Sequence, residues 1–390
     1  MHIGMVLSCL MLLPLLLVPS FGCTKERTVR IPVRLSMCGA DPQQTSMVQA
    51  AGLRRLDRPL WKKKFDEDHL MSIDQLCPVI DDDAVYLVGR NGSLYAYLRT
   101  DGSLRWQFWD DDDRITTPPV VVDNTVYFGT IIGAVYAMDR ATGKRIWRFQ
   151  PKESWFKLLK AVIKPSIVYH NGTIYFGNER GQVFALDAES RSVLWKSRTG
   201  GAITSPLAAN NDAVYVGSAD GHLYAFEAGG GREKWRIAIK GQLRSAPVIA
   251  DRRLLFRDAD GTLTALDAET GGLEWSFPPA APGTASPAVA DGTAYIGDDS
   301  GNLIAIDAAS GAEKWKFRTG GGIPKTPIVA GSTVSVGSRD GRFYLVHAMN
   351  GEMLWMVETG EAVDTAFSVA DDLVVLFDST GGISALGGER

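Results

Sequence analysis

The sequence predicts an all-β fold: an eight-bladed β-propeller of four-stranded antiparallel blades. Three observations predict it. Eight of the ten tryptophans recur in one context, Trp61, Trp106, Trp147, Trp195, Trp235, Trp275, Trp315 and Trp355, at intervals of 45, 41, 48 and then four times 40 residues. A hairpin glycine recurs with them at Gly92, Gly133, Gly181, Gly221, Gly261, Gly301, Gly341 and Gly381. Between these markers no window keeps the i, i+3, i+4, i+7 spacing of a helix, whereas a period near 40 with strand-like patterning is that of a propeller blade.

Length and composition agree. A chain of 390 residues would ordinarily divide into two or three domains, but repeated units need only their neighbours. The residues are 45% apolar and 22% charged, as in a globular protein, and a net charge of −4 does not favour a nucleic-acid partner.

Residues 1–22 read as an export signal. Met5 to Val18 is apolar apart from Ser8, Cys9 and Pro14, too short for a membrane span, and ends in Pro19-Ser20-Phe21-Gly22. Cys23, preceded by Gly22, resembles a bacterial lipoprotein cleavage site and is the expected lipidation residue. Ser20 stands where that pattern usually has Leu, and the stretch before the run offers only His2. A soluble secreted chain and an uncleaved anchor are the alternatives. Residues 23–57 read as a linker and 58–390 as the propeller. Cys38 and Cys77 either pair in an oxidising envelope or remain free thiols, and no CxxC spacing suggests zinc or redox chemistry. Lys62-Lys63-Lys64 reads as a solvated strand edge.

One unit shows the logic of the blade. Pro206 to Ala209 is a short inner strand, Asn210-Asn211-Asp212 a turn, and Ala213 to Gly217 a second strand rich in β-formers. Asp220-Gly221 is a two-residue hairpin signal, expected as a type I′ turn. His222 to Phe226 is the third strand, Gly229 to Gly231 a turn, and Glu233 to Ile237 an outer strand carrying Trp235. The last unit, Thr365 to Leu386, stops before any Trp, while Trp61 has no complete unit before it. The segment near Trp61 is therefore expected to supply the fourth strand of the last blade and close the ring. The eight tryptophans are expected to dock against the neighbouring blade rather than to form a ligand-stacking row.

That arrangement resembles the quinoprotein (PQQ-like) β-propeller repeat family, whose docking motif is Ala-x-Asp-x-x-x-Gly-x-x-x-Trp. It is intact at Ala137, Asp139, Gly143, Trp147, at Ala265, Asp267, Gly271, Trp275 and at Ala305, Asp307, Gly311, Trp315. Glu227 replaces Asp in the unit of Trp235, Arg191 replaces Gly in the unit of Trp195, and His347 and Leu98 stand at the Asp position before Trp355 and Trp106. Alcohol-oxidising members of the family bring an adjacent Cys-Cys pair against their quinone, together with acidic and amide ligands for calcium. This chain has no such pair, so no catalysis, cofactor or metal is expected. The five His residues are scattered. The four aspartates Asp110 to Asp113 read as a solvated acidic loop in preference to a cation site.

The irregular connections are the candidate partner site, with the alternative that the longest of them folds back to plug the ring or cover a neighbouring blade. Trp147 to Pro165 spans 18 residues where others span about a dozen, and the extra piece carries Trp155, Phe156, Leu158 and Leu159 between lysines. Trp109 beside the four aspartates occupies the preceding connection, and Asp66-Glu67-Asp68 the one before that. All are expected on the face that carries the hairpin glycines. An exported, lipidated propeller of this size most resembles the envelope lipoproteins that scaffold the insertion of outer-membrane β-barrels. The resemblance implies an outer-membrane location facing the periplasm, protein partners in the barrel-assembly complex, and membrane contact through the lipid alone. A general protein- or ligand-binding envelope propeller and a quinone-dependent oxidoreductase are the other readings.

Overall fold

The structure, a computed structural model, describes residues 47–48, 55–64, 77–89, 91–151, 161–243, 245–278, 281–283, 285–370, 372–377 and 382–389. Every regular element among them is a strand. β1 (Met47–Val48) and β2 (Arg55–Lys64) come first. The first blade is β3 (Val79–Ile80), β4 (Ala84–Val88), β5 (Leu94–Leu98) and β6 (Leu104–Phe108). The second is β7 (Val120–Val122), β8 (Thr125–Gly129), β9 (Val135–Asp139) and β10 (Arg145–Phe149). The third is β11 (Ile163–His170), β12 (Thr173–Asn178), β13 (Gln182–Asp187) and β14 (Val193–Arg198). The fourth is β15 (Ala208–Ala209), β16 (Ala213–Ser218), β17 (His222–Glu227) and β18 (Glu233–Ala238). The fifth is β19 (Val248–Ala250), β20 (Arg253–Arg257), β21 (Leu263–Asp267) and β22 (Leu273–Phe277). The sixth is β23 (Ala288–Ala290), β24 (Thr293–Gly297), β25 (Asn302–Asp307) and β26 (Glu313–Arg318). The seventh is β27 (Ile328–Ala330), β28 (Thr333–Ser338), β29 (Arg342–His347) and β30 (Met353–Glu358). The eighth blade is β31 (Phe367–Ala370), β32 (Leu373–Phe377) and β33 (Gly382–Glu389), completed by β2.

β2 runs antiparallel to β33, with Trp61 opposite Ala385 and Lys62 opposite Ser384, so the expected closure by the N-terminal strand is present. A second use of the N-terminal chain is not foreshadowed by the repeat: β1 pairs in parallel with β27 and makes the seventh sheet five-stranded.

Burial follows position in the blade. Second strands such as AVYLV in β4 and AVYVGS in β16 are buried at every residue, because both faces of the sheet meet a neighbouring blade. Outer strands alternate over most of their length, as in KWKFR of β26, because one face is at the rim. Apolar clusters accordingly straddle blade boundaries. One joins Tyr86 and Trp106 of the first blade to Phe128 and Tyr136 of the second, and another joins Trp61, Val375 and Ala385 of the eighth to Ile80 and Tyr95 of the first.

The hairpins between second and third strands differ from expectation. Seven of the hairpin glycines have positive φ, from 70° at Gly181 to 90° at Gly301, while Gly381 lies outside the described residues. The residue before each of the seven does not have positive φ, so these are not type I′ turns. In the fourth blade Ser218 pairs with His222 and the Gly221 amide donates to the Ser218 carbonyl at 3.1 Å. The loop therefore has three residues, a type I turn followed by a left-handed glycine. The preceding Asp serves as a side-chain acceptor instead: Asp220 Oδ1 takes the His222 amide at 3.0 Å.

Cys77 is buried and disulfide-bonded, which removes the free-thiol alternative for that residue; its partner lies outside the described residues, as do Cys23 and Cys38. Of the lysine triplet, Lys62 is exposed and Lys63 places its Nζ 5.3 Å above the Tyr97 ring.

Candidate partner-binding face

The ring must be rigid for its loops to hold a shape, and the docking motif supplies that rigidity. The docking Trp packs on the turn between third and outer strands of the next blade. Its indole N–H donates to a carbonyl there: Trp61 to Arg99 at 3.0 Å, Trp106 to Arg140 at 2.8 Å, Trp195 to Ala228 at 2.7 Å, Trp235 to Ala268 at 3.1 Å, Trp275 to Ala308 at 3.2 Å and Trp315 to Ala348 at 3.0 Å. The motif glycine therefore serves the preceding blade's Trp. A Cβ on Gly143 would lie 2.6 Å from Trp106 Cδ2, and φ there is 67°. The motif aspartate shapes the same turn: Asp139 Oδ1 accepts from the Thr142 amide at 2.8 Å and hydroxyl at 2.6 Å, and these bonds hold its carboxyl below the usual range. His347, at the Asp position, receives the Met349 amide on Nδ1 at 3.3 Å and so keeps part of that role.

Reading the tryptophans alone misses their partners. A tyrosine stands 20 residues before the Trp in five units, at Tyr86, Tyr127, Tyr175, Tyr215 and Tyr295. Each ring lies 5.8–5.9 Å from its Trp. Tyr215 and Trp235 donate to the same carbonyl, that of Ala268, and Tyr295 and Trp315 share that of Ala348. The constant 20-residue offset is the signal that could have found them.

The end of the second strand carries another repeat, with glycine at Gly89, Gly129, Gly177, Gly217, Gly297 and Gly337. An apolar side chain from the next connection, or in one case from the first residue of the next inner strand, lies over five of them: Ile163, Ile203, Leu243, Ile323 and Val363, over Gly129, Gly177, Gly217, Gly297 and Gly337 respectively. The fifth blade inverts the pair. Arg257 stands at the glycine position, and Gly283 stands where the apolar residue belongs, with the guanidinium against it. Arg257 is 1% exposed; Nε donates to Gly261 O at 3.1 Å and Nη1 to Gly297 O at 2.8 Å, while Nη2 has no partner. Burial pushes its pKa down.

The connections from outer strand to next blade do share a face with the hairpins. The Ile115 amide donates to Gly92 O at 3.1 Å, and the Thr199 amide to Gly181 O at 2.8 Å. On this face Trp109 is 61% exposed. With Asn91, Ser93, Gln107, Asp110, Asp111 and Arg114 it lines an open depression of about 720 Å³. Trp155, Phe156, Leu158 and Leu159 lie outside the described residues, as do Asp66, Glu67 and Asp68.

The aspartate run is not uniformly solvated. Asp113 is 2% exposed. Asp113 and Asp110 both accept from the Tyr136 hydroxyl, at 3.0 and 3.1 Å, and Arg148 stands 3.6 Å from Asp113. Consecutive side chains diverge, so Asp113 is buried against the tyrosine, Asp110 reaches it from the edge of the depression, and Asp111 faces the depression. Desolvation raises the Asp113 pKa and pushes the Tyr136 phenol well up. Asp81, in the other acidic run, is likewise buried and bonds to Arg140 at 3.2 Å and to the Tyr86 hydroxyl at 2.8 Å. Among the described residues no three metal-ligating side chains converge. Nor does the chain contain an adjacent cysteine pair.

Comparison with known proteins places this architecture. The chain matches the family model described as "Outer membrane protein assembly factor BamB" over residues 49–195, 179–315 and 275–389. No curated protein matches it. Among solved structures, BamB from Moraxella catarrhalis is 20% identical with a TM-score of 0.65, covering 85% of this chain and 99% of that one. A quinohemoprotein alcohol dehydrogenase from Comamonas testosteroni is 16% identical with a TM-score of 0.74, covering 90% and 80%. A europium-containing methanol dehydrogenase is 13% identical with a TM-score of 0.69, covering 89% and 90%. At these identities the structures share the fold alone. The family match spans the whole ring, and the chain belongs to the PQQ-like β-propeller family of the outer membrane protein assembly factor BamB.

Proposed function

We propose that this protein is a non-catalytic scaffold of the bacterial envelope, BamB-like, that supports assembly of outer-membrane β-barrel proteins. The observation that carries the reading is the exposed Trp109 beside an open polar depression, on the face that also bears the hairpins, in a chain matched over residues 49–389 by that family model. An exposed indole held by a rigid ring is a low-entropy anchor for a protein partner. The inserted Trp155, Phe156, Leu158 and Leu159 extend the same surface in this reading. Lipidated Cys23 holds the ring at the outer membrane on its periplasmic side.

Affinity purification from detergent-solubilised envelopes tests it. The wild-type chain is expected to retain a barrel-assembly component, and Trp109→Glu combined with Trp155→Glu to lose it at unchanged melting temperature. Equal retention by both proteins would refute the assigned face. Mass spectrometry of the mature N-terminus tests the anchor: a diacylglyceryl-modified Cys23 is expected, and an unmodified residue there contradicts it.

A further inference from the structure

Inner strands of a propeller line its central channel, so each inner strand has one edge facing the axis. In the seventh blade that edge is taken. β1 pairs in parallel with β27, Met47 opposite Val329 and Val48 opposite Ala330, and it also approaches β23, the inner strand of the sixth blade. A strand added to the inner edge of an inner strand lies in the channel itself.

Its direction is fixed by pairing. Inner strands start from the connection face, and β1 is parallel to one of them. The chain therefore enters β1 from the connection face, where Trp109 stands, and leaves toward the opposite face. β2 runs antiparallel to inner strands within its blade, so it starts from that opposite face. Only residues 49–54 join the two strands. The seven steps from Val48 to Arg55 reach at most about 25 Å. Passing from β1, on the channel side of an inner strand, out to the rim takes four strand spacings, about 19 Å. The axial strand and the closure strand are thus joined by a connector with little slack.

We propose that the inner edge of β27 is a strand-accepting site on the ring axis, occupied in cis by Met47–Val48 and able to take an extended peptide in trans when that segment is withdrawn. Two paired residues form a short ladder, weak enough to exchange, while the edge they cover offers the same main-chain groups to any extended chain. A natural source for the trans peptide, an unfolded barrel strand, rests on the scaffold reading; the cis pairing does not.

Two experiments on the full chain test it. In Val48→Cys with Ala330→Cys, a short bis-thiosulfonate linker is expected to join the two positions, read by peptide mapping. Val48→Cys with Ala209→Cys, on the inner strand of the fourth blade, is expected to give less than a tenth of that yield. Equal yields overturn the axial placement. Met47→Pro with Val48→Pro removes both amide donors from β1. A fluorescent peptide of residues 44–51 is expected to bind this variant at least tenfold more tightly than wild type, with closure by β2 verified by unchanged melting. Equal affinity overturns the accepting site. A failed envelope pull-down with an intact cross-link would count against the scaffold reading alone.

Discussion

At the scale of single residues the ring is held by reciprocal small and large groups. Gly143 has no room for a Cβ under Trp106 and sits at positive φ, so Gly143→Ala is expected to cost about 1–3 kcal/mol, read from denaturant midpoints. The turn opposite Trp147 has Arg191 at the glycine position, held at φ 62°. Arg191→Gly is therefore expected to stabilise by about 1 kcal/mol, by relief of left-handed strain; a loss of stability would show that the Arg191 side chain contributes more than its backbone costs. Asp267 carries a pH signature. Its bonds from Arg252 and from the Thr270 amide and hydroxyl lower its pKa to about 2. A carboxylate depressed on folding contributes stability that is present above its unfolded pKa near 3.9 and is lost as pH falls toward 2. Acid titration of the melting temperature is expected to show a shallower fall between those limits in Asp267→Asn.

At the scale of elements the exchange at Arg257 and Gly283 is the most informative departure from the repeat. Arg257→Gly alone empties a buried site and is expected to cost about 2–5 kcal/mol. Adding Gly283→Ile recreates the arrangement of the neighbouring blades, where Ile323 lies over Gly297, and is expected to recover most of that loss. Failure of rescue would mean that the Arg257 bonds to Gly261 and Gly297 hold the two blades together in a way an apolar contact does not. Such pairs also show what is legible in the sequence. Trp positions, hairpin glycines and the missing fourth strand of the last blade are readable because each recurs with the blade period. Arg257 is not, because it appears as one irregular residue until the structure sets Gly283 against it. The hairpin type is not legible either: Asp-Gly suits a two-residue loop equally well, and pairing across the hairpin decides its length. Two-residue β1 has no periodic pattern to detect. Of the candidate site, Trp109 stands out by its odd position, whereas burial of Asp113 and Asp81 depends on Tyr136 and Arg140, both remote in sequence.

At the scale of the whole molecule, closure ties the eight blades into one unit. The eighth blade takes β31, β32 and β33 from the C-terminal part of the chain and β2 from the N-terminal part, so the first and last strands of the ring share one sheet. Across the same seam Trp61 docks on Arg99, and the Arg99 guanidinium bonds to Ala370 O at 3.2 Å and Asp372 at 2.6 Å. Deletion of residues 60–65 is expected to lower the melting temperature of the entire ring in one transition, since every blade relies on both neighbours. A closed ring loses little conformational entropy when its loops meet a partner, and the proposed recognition face is the one that carries exposed Trp109. Photo-crosslinking in intact envelopes tests that placement most directly, with benzoylphenylalanine at position 109 on the connection face or at the exposed rim position 146. Adducts with a barrel-assembly component are expected from position 109 and none from position 146; adducts from position 146 alone would contradict the placement.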